Sequence, residues 1–258
     1  MEKVISYEID ESGVALVTIN NPPVNALTQQ LKDSIEMTFD EMATKEEIRA
    51  VIITGGDKIF VAGGDIKSFP NLNPATAKQG NLKTQNIFLK VENFPTPVIA
   101  AIEGRCLGGG CELALCCDLR VASEEAAFGQ PEVNLAIMPG AGATQRLPRL
   151  VGIGRAKELI YTARIITAKE ALEIGLVEKV VPKGKAVEGA REITKEILKK
   201  GPVAIKMAKK AINRGAGLPL MEGLQVELDC YSSLFGTEDK DEGAKAFLEK
   251  RTPQYKGR

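Results

Sequence analysis

Short aliphatic runs alternate with amphipathic segments along the first half of the chain. The runs are rich in Val, Ile and Ala and mostly end at Gly or Asn, which is typical of buried strands. Between two of them, apolar residues recur at three- or four-residue spacing, which predicts a helix. The predicted strands are 13–20, 50–55, 97–104 and 119–123, and the predicted helices are 27–42 and 76–93. Strands separated by helical crossovers indicate an α/β layered fold with mainly parallel pairing.

The second half of the chain has mainly helical periodicity. In the segment 166–177, Thr167 and Glu170 have the spacing of a capping box, and Gly175 follows where the helix should end. Further helices are predicted at 186–200, 203–213, 217–234 and 238–250. The change of pattern near 195–201 divides the chain into an α/β core, 1–197, and a helical region, 198–258.

Composition restricts the chemistry more than the fold. The 258 residues include 34 Lys or Arg, 34 Asp or Glu, and no histidine. Without imidazole there is no Ser-His-Asp or Cys-His machinery and no His-ligated metal. Proton transfer must then use carboxylates, lysines, tyrosines or cysteines. We expect no metal and no cofactor.

Charge and hydropathy exclude several partners. A net charge of zero and 5% aromatic residues argue against nucleic acid as a dedicated partner. No run approaches the roughly 18 apolar residues that span a bilayer, and the first residues carry no apolar leader, so a cytoplasmic location is expected. Five cysteines, four of them within 106–117, lack a C-x-x-C pair and are expected to be buried hydrophobes rather than metal ligands.

A run of three glycines, 108–110, follows a predicted strand and opens a helix that carries Glu112. Backbone N–H groups that have no acceptor at a helix N-terminus can bind a phosphate or stabilise a developing oxyanion. The spacing matches neither a P-loop nor a dinucleotide fingerprint. Glu112 lies three residues after Gly109, on the same face, where it could act as an acid or base. Alternatively, the glycines serve close strand–helix packing and Glu112 only favours the helix dipole.

Two further segments could complete such a site. The turn 60–66 follows a predicted strand and offers another N–H at Gly64, while Asp65 is positioned to cap the next turn. Two N–H donors from separate turns can form an oxyanion hole. Glu132 lies in a predicted loop beside apolar Val133 and Leu135; burial there would raise its pKa, although a loop Glu is more often solvated or capping.

Together these segments resemble the enoyl-CoA hydratase/isomerase (crotonase) family, and the resemblance covers nearly the whole chain. The matching motifs are NPPVNAL, AGGDIKSF, PVIAAIEGRCLGGGCELALCCDLRVAS, FGQPEVNLAIMPGAGATQRLPRLVG, ITAKEALEIGLVEKVV and AFLEKRTPQYKG. The resemblance implies a spiral of β-β-α turns and a C-terminal helical region that forms homotrimers, often paired into hexamers.

The resemblance also implies roles for individual residues. Gly64 and Gly109 fall where backbone N–H groups hold the thioester oxygen, and Glu112 and Glu132 fall at the two catalytic carboxylates. Coenzyme A, as part of the substrate, would bind along the first glycine turn; the residues implied are Ala62, Gly64, Asp65, Ile66, Lys67 and Gly109. Basic residues of the tail would lie near its phosphates. Ala136 stands where the family commonly has Gly, which bears on the shape of the acyl pocket.

The implied activity is reversible syn addition of water to a 2-trans-enoyl-CoA, in fatty acid β-oxidation or short-chain acyl-CoA metabolism. Three alternatives stay open: an enoyl-CoA isomerase of the same family, a non-enzymatic or RNA-binding member, and an inactive scaffolding subunit. For the basic residues of 195–214 and 243–258, a solvated cationic face is as well supported as phosphate binding.

Overall fold

A six-stranded sheet forms one layer of the protein. The computed structural model describes residues 3–258, so the first two residues of the predicted core lie outside it. The strands of this sheet are β1 (Ile5–Ile9), β2 (Val14–Ile19), β3 (Ala50–Thr54), β5 (Val98–Ile102), β7 (Leu119–Ser123) and β10 (Lys179–Val181). They lie in the order β1-β2-β3-β5-β7-β10, with all neighbours parallel except the β1–β2 hairpin.

A second, four-stranded sheet is built from short strands. These are β4 (Ile59–Val61), β6 (Arg105–Leu107), β8 (Ala127–Gly129) and β9 (Ile166–Thr167), in the order β4-β6-β8-β9. β4, β6 and β8 are parallel, and β9 joins β8 antiparallel. Each strand of this sheet except β9 directly follows a strand of the larger sheet. The chain therefore repeats a turn of one strand in each sheet followed by helix, as the predicted spiral requires.

The predicted strand 97–104 corresponds to β5, and the chain changes sheet where this segment ends. β5 ends at Ile102, and β6 begins at Arg105 in the other sheet. Gly104 forms the corner: a Cβ there would lie 1.8 Å from the backbone oxygen of Lys58, so only glycine allows the two chain segments to approach this closely.

Within residues 3–258, the ten α-helices correspond to the predicted helical segments, plus two near 143–162 that the pattern did not specify. They are α1 (Gln29–Met42), α2 (Pro74–Glu92), α3 (Gly109–Cys116), α4 (Ala143–Val151), α5 (Ile153–Thr162), α6 (Ala168–Glu173), α7 (Ala186–Leu198), α8 (Pro202–Gly215), α9 (Leu220–Ser233) and α10 (Glu238–Leu248). Short 3₁₀ helices occupy Ile66–Asn71, Pro131–Leu135 and Leu234–Gly236.

The predicted cap of the 166–177 segment is half confirmed. The Thr167 side chain accepts a hydrogen bond from the Glu170 amide, and α6 begins at the next residue. The Glu170 carboxylate instead pairs with Arg164 at 2.6 Å, which leaves the reciprocal bond of a capping box unmade. Gly175, with φ of +77°, follows the helix as predicted.

The larger sheet is covered on both faces. In β5, Val98, Ala100 and Ile102 face the main core, while Ile99 and Ala101 face the opposite layer, where α7 packs. The two faces explain why β5 is apolar at every position. All five cysteines are free and buried, as expected, and burial raises the pKa of the Cys117 thiol to about 12.

The helical region after 198 is fastened to the core by polar contacts. Lys209 Nζ lies 2.7 Å from Asp118 Oδ2, and it also donates to the Thr96 carbonyl oxygen. Arg49 donates to the carbonyl oxygens of Leu198 and Lys200 at 3.2 Å. α8 is therefore held against the ends of the core strands.

Candidate active site

The two glycine turns predicted from sequence lie side by side. A Cβ built on Gly109 would be 3.8 Å from the Gly64 amide nitrogen, and one on Gly108 would be 3.7 Å from Gly63 Cα. The turns follow β4 and β6, which are parallel neighbours, so their carboxyl ends meet at the same edge of the small sheet. The two turns therefore lie together in the structure.

The first turn is held by the segment that precedes α1. The Leu27 amide donates to the Gly63 carbonyl oxygen at 2.8 Å, and the Ala62 amide donates to the Val24 carbonyl oxygen at 3.2 Å. Leu27 and Gly64 form a parallel bridge, in which the bonds run through the residues flanking Gly64. The amide of Gly64 itself therefore points away from Leu27.

The second turn opens α3. Gly109 is the first residue of that helix, so its N–H belongs to the group that has no acceptor within the helix. The preceding Gly108 amide donates to the Gly129 carbonyl oxygen at 2.9 Å and so ties the turn to β8, which leads to Glu132. Two backbone donors and the loop carrying Glu132 are thereby collected in one place.

Glu112 is buried inside this site, in the first turn of α3. Its Oε1 atom accepts hydrogen bonds from the backbone amides of Ala141, at 2.7 Å, and Ala143, at 3.0 Å. Burial raises the pKa of this carboxyl group, while the two amides act in the opposite direction by stabilising the ionised form.

Glu132 reaches the same site from the opposite side. It lies in the 3₁₀ helix Pro131–Leu135 rather than in the predicted open loop, and burial raises its pKa to about 7. The negative charge of Glu112 contributes to this rise, which places the two carboxyl groups within electrostatic reach. The side-chain amide of Gln130 is buried beside it and, with its nitrogen turned towards the carboxylate, reaches both oxygens at 3.2 Å.

The residues implied to contact coenzyme A form the outer rim of the first turn. Gly64, Ile66 and Lys67 are exposed, while Ala62 and Asp65 are partly buried. The expectation that Asp65 caps the next turn with its side chain is wrong: the Asp65 backbone oxygen accepts from Ser68, and the side chain makes no capping bond.

Ala136 has a left-handed backbone, with φ of +56°, at the end of the 3₁₀ helix that carries Glu132. Glycine adopts this conformation without steric cost, which accounts physically for a glycine at such a position. Its sequence neighbours Leu135, Ile137 and Met138 expose large apolar side chains.

Several basic residues of the tail are engaged within the chain. Ion pairs with carboxylates involve Lys199, Lys209, Arg251, Lys256 and Arg258. For these residues the alternative of a structural or solvated role is favoured. Among residues 3–258, no cluster of three or more His, Cys, Asp or Glu side chains could hold a metal ion. Over the same residues, no helix is both long and apolar enough to cross a membrane.

The groups that hold the two carboxylates could not be identified from the sequence. The amides of Ala141 and Ala143 are backbone groups. The direction of their N–H bonds depends on the turn through Gly142, whose φ is +126°. The segment PGAGATQR carried the only signal for this turn, its glycine spacing. Gln130 precedes Glu132 by two residues, but nothing in the pattern indicated that it is buried.

Comparison with known proteins gives the same family throughout the chain. A model of the enoyl-CoA hydratase/isomerase family matches residues 9–258. The short-chain-enoyl-CoA hydratase of Clostridium acetobutylicum is 46% identical over 243 residues, which cover 93% of each chain. The crotonyl-CoA hydratase of Syntrophomonas wolfei is 45% identical over 251 residues, covering 95% of each.

Solved structures agree with the sequence relatives. The crystal structure of an enoyl-CoA hydratase from Bacillus anthracis matches with a TM-score of 0.94 and 44% identity, over 99% of this chain and 100% of that one. The fold, with its α/β spiral core, is that of a known enoyl-CoA hydratase. The chain belongs to the enoyl-CoA hydratase/isomerase family, and the predicted fold class is confirmed.

Proposed function

We propose that this protein is an enoyl-CoA hydratase that adds water reversibly to a short-chain 2-trans-enoyl-CoA and gives a 3-hydroxyacyl-CoA. The observation that carries the proposal is the meeting of Glu112 and Glu132 beside the Gly64 and Gly109 amides. The names of the two bacterial relatives support the short-chain substrate class.

The two amides form the oxyanion hole in this mechanism. Donors from Gly64 and Gly109 receive the thioester oxygen as negative charge gathers there. One such donor contributes about 2.7–4 kcal/mol to stabilising the transition state. Ala62, Asp65, Ile66 and Lys67 then lie where the chain of coenzyme A leaves the site; coenzyme A enters as part of the substrate, and no separate cofactor is needed.

The two glutamates divide the proton transfers. Glu112, ionised and held by the Ala141 and Ala143 amides, takes a proton from water as the water oxygen bonds to C3. Glu132, protonated because burial raises its pKa to about 7, delivers its proton to C2. The proton gained by Glu112 and the one lost by Glu132 balance, so exchange with solvent restores the starting state.

The test is the loss of enoyl-thioester absorbance with a panel of 2-enoyl-CoA esters of increasing chain length. Glu112→Gln and Glu132→Gln should each lose most of the hydration rate, on the order of 10²–10⁴-fold, while still binding an acyl-CoA. Near-normal turnover by either variant would reject that glutamate's role. A wild-type protein that converts 3-enoyl-CoA but hydrates nothing would instead support the isomerase.

The helical region 198–258 is proposed to join copies of this chain into a homotrimer or a hexamer. Support comes from its exposed apolar side chains, among them Leu220, Met221, Phe247 and Leu248, which an interface would cover. Sedimentation of the intact protein tests this assembly, and a monomer at micromolar concentration would contradict it. The cytoplasmic location stays a prediction.

A further inference from the structure

The position of the Glu112 carboxylate depends on the turn 140–143. Both hydrogen bonds to its Oε1 atom come from backbone amides of this turn, those of Ala141 and Ala143. A shift of the turn would therefore move or release the group to which the base role is assigned. What fixes the turn consequently fixes Glu112.

Two side chains from neighbouring helices hold the turn. Gln85, on α2, donates from Nε2 to the Gly140 carbonyl oxygen at 2.7 Å. Arg146, in the first turn of α4, donates from Nη1 to the Ala141 carbonyl oxygen at 3.2 Å. The guanidinium is itself held by Glu92 of α2 through two parallel bonds, Nη2–Oε2 at 2.6 Å and Nε–Oε1 at 3.1 Å. This bidentate geometry is specific to arginine.

Arg146 and the turn fit each other closely. A Cβ on Gly142 would lie 2.0 Å from Arg146 Nη1, so the guanidinium packs directly against a bare Cα. With its φ of +126°, Gly142 also has a backbone conformation that other residues rarely adopt. The arginine therefore occupies space that exists only because residue 142 is glycine.

We propose that Arg146, anchored by Glu92, is a positioning residue for Glu112: it fixes the amides that hold the carboxylate and places a positive charge beside it. The proposal rests on the proposed function, in which Glu112 acts as the base. The charged or titratable groups acting on Glu112 are Arg146 from α4, with Glu92 of α2 behind it, Cys116 on the same helix, and Glu132.

The Arg146–Glu92 ion pair should affect the pKa of Glu112 in a direction that can be predicted. Burial raises the pKa of Glu112, and the charge of Arg146 lowers it. Arg146→Met removes the positive charge and leaves Glu92 unpaired, so the pKa of Glu112 should rise. Glu92→Gln removes the opposing negative charge, so it should fall. A purely structural role for the pair would not produce shifts in opposite directions.

The experiment measures kcat/KM for a 2-enoyl-CoA against pH in the intact protein and four variants. The acidic limb should move to higher pH in Arg146→Met and to lower pH in Glu92→Gln. Arg146→Lys should keep the acidic limb near its wild-type position but lower kcat. Lysine keeps the positive charge but cannot form the two parallel hydrogen bonds to Glu92. Arg149→Met, on the exposed side of the same helix, is the matched control and should match wild type.

The proposal would be overturned if the acidic limb of the pH profile were unchanged in both Arg146→Met and Glu92→Gln. It would also be overturned if the limb shifted in the same direction in both variants. If Arg146→Met does not fold, Glu92→Gln and Arg146→Lys carry the test. Failure of the proposed function shows up separately, since wild-type protein would then hydrate no enoyl-CoA at any pH. In that case, carboxyl ¹³C NMR of the same variants still reports the titration of Glu112 and decides the electrostatic part.

Discussion

The Oε1 atom of Glu132 lies 2.8 Å from the point that a Cβ on Gly108 would occupy. Gly108 has φ of +52° and ψ of −125°, a combination that essentially only glycine adopts. The same residue therefore makes the sharp entry into α3 and leaves room for the carboxyl group. The turn that opens α3 and the proposed acid, Glu132, are thus coupled, because both depend on the absence of a side chain at Gly108.

Gly108→Ala should lower kcat for hydration by about 100-fold or more, because the added methyl group displaces Glu132 and acid–base assistance of this kind contributes about 10²–10⁴-fold. Backbone strain should also lower the free energy of unfolding by about 1–3 kcal/mol. Steady-state kinetics and chemical denaturation measure the two effects. In the control, Gly154→Ala on α5, the new Cβ meets no atom within 4 Å, and neither quantity should fall. Wild-type kcat in Gly108→Ala would contradict the coupling.

The pH dependence of hydration should follow Glu132. Its folded-state pKa is about 7, raised mainly by burial, and hydration requires the protonated form. The value of kcat/KM should therefore fall as pH rises through about 7, with the observed limb belonging to the Glu112–Glu132 pair rather than to one residue. In Glu132→Gln the residual rate should lose this limb. An alkaline limb that persists in that variant would assign the titration to another group.

Stability gives an independent check of the same titration. The folded-state pKa lies above the ordinary value of 4.5, so the folded protein disfavours the ionised form. Wild type should lose stability as pH rises from about 4.5 to about 7, and Glu132→Gln should not. The Tm of the variant relative to wild type should therefore be higher at about pH 8 than at about pH 5. An equal difference at both pH values would contradict the raised pKa.

Hydrophobic periodicity was sufficient for the main strands and helices, because burial on one or both faces leaves a repeat that can be read directly. The predicted strand 119–123 is observed as Leu119–Ser123 without change. The strand predicted at 97–104 is observed as Val98–Ile102, and the change of sheet at Gly104 leaves no periodic signal. The three-residue strands of the small sheet are too short to show any period.

The residues of the candidate site also divide into those that the sequence reveals and those that it does not. Glu112, Glu132, Gly64 and Gly109 could be predicted because side-chain chemistry and glycine turns are visible in the sequence. The groups that set the position and the pKa of the two carboxyl groups could not be predicted. Ala141 and Ala143 act through backbone amides, and Arg146 acts through a carbonyl oxygen and through Glu92, which is far away in the sequence and meets it at the end of α2. Long-range contacts between polar groups leave no periodic signal.

The ion pair between Lys209 and Asp118 joins the helical region to the core across the predicted boundary at 197/198. The Lys209 side chain is 8% exposed and that of Asp118 is 23% exposed, and burial raises the pKa of Asp118 even with the lysine beside it. Removing one partner of such a pair leaves a buried charge uncompensated. Lys209→Met should therefore reduce the free energy of unfolding by about 3–5 kcal/mol, measured by denaturation at one fixed protein concentration.

The double variant Asp118→Asn/Lys209→Met separates the pair from the burial of its charges. Because both charges are then absent, it should be more stable than Lys209→Met, and the difference measures the cost of the unpaired carboxylate. The matched control is Lys199→Met. That residue pairs with Glu196 on the surface, where both side chains are more than half exposed, so the change should stay within about 1 kcal/mol. If Lys209→Met is no more costly than Lys199→Met, the pair does not fasten α8 to the core, and the Arg49 hydrogen bonds together with apolar packing must hold the helical region in place.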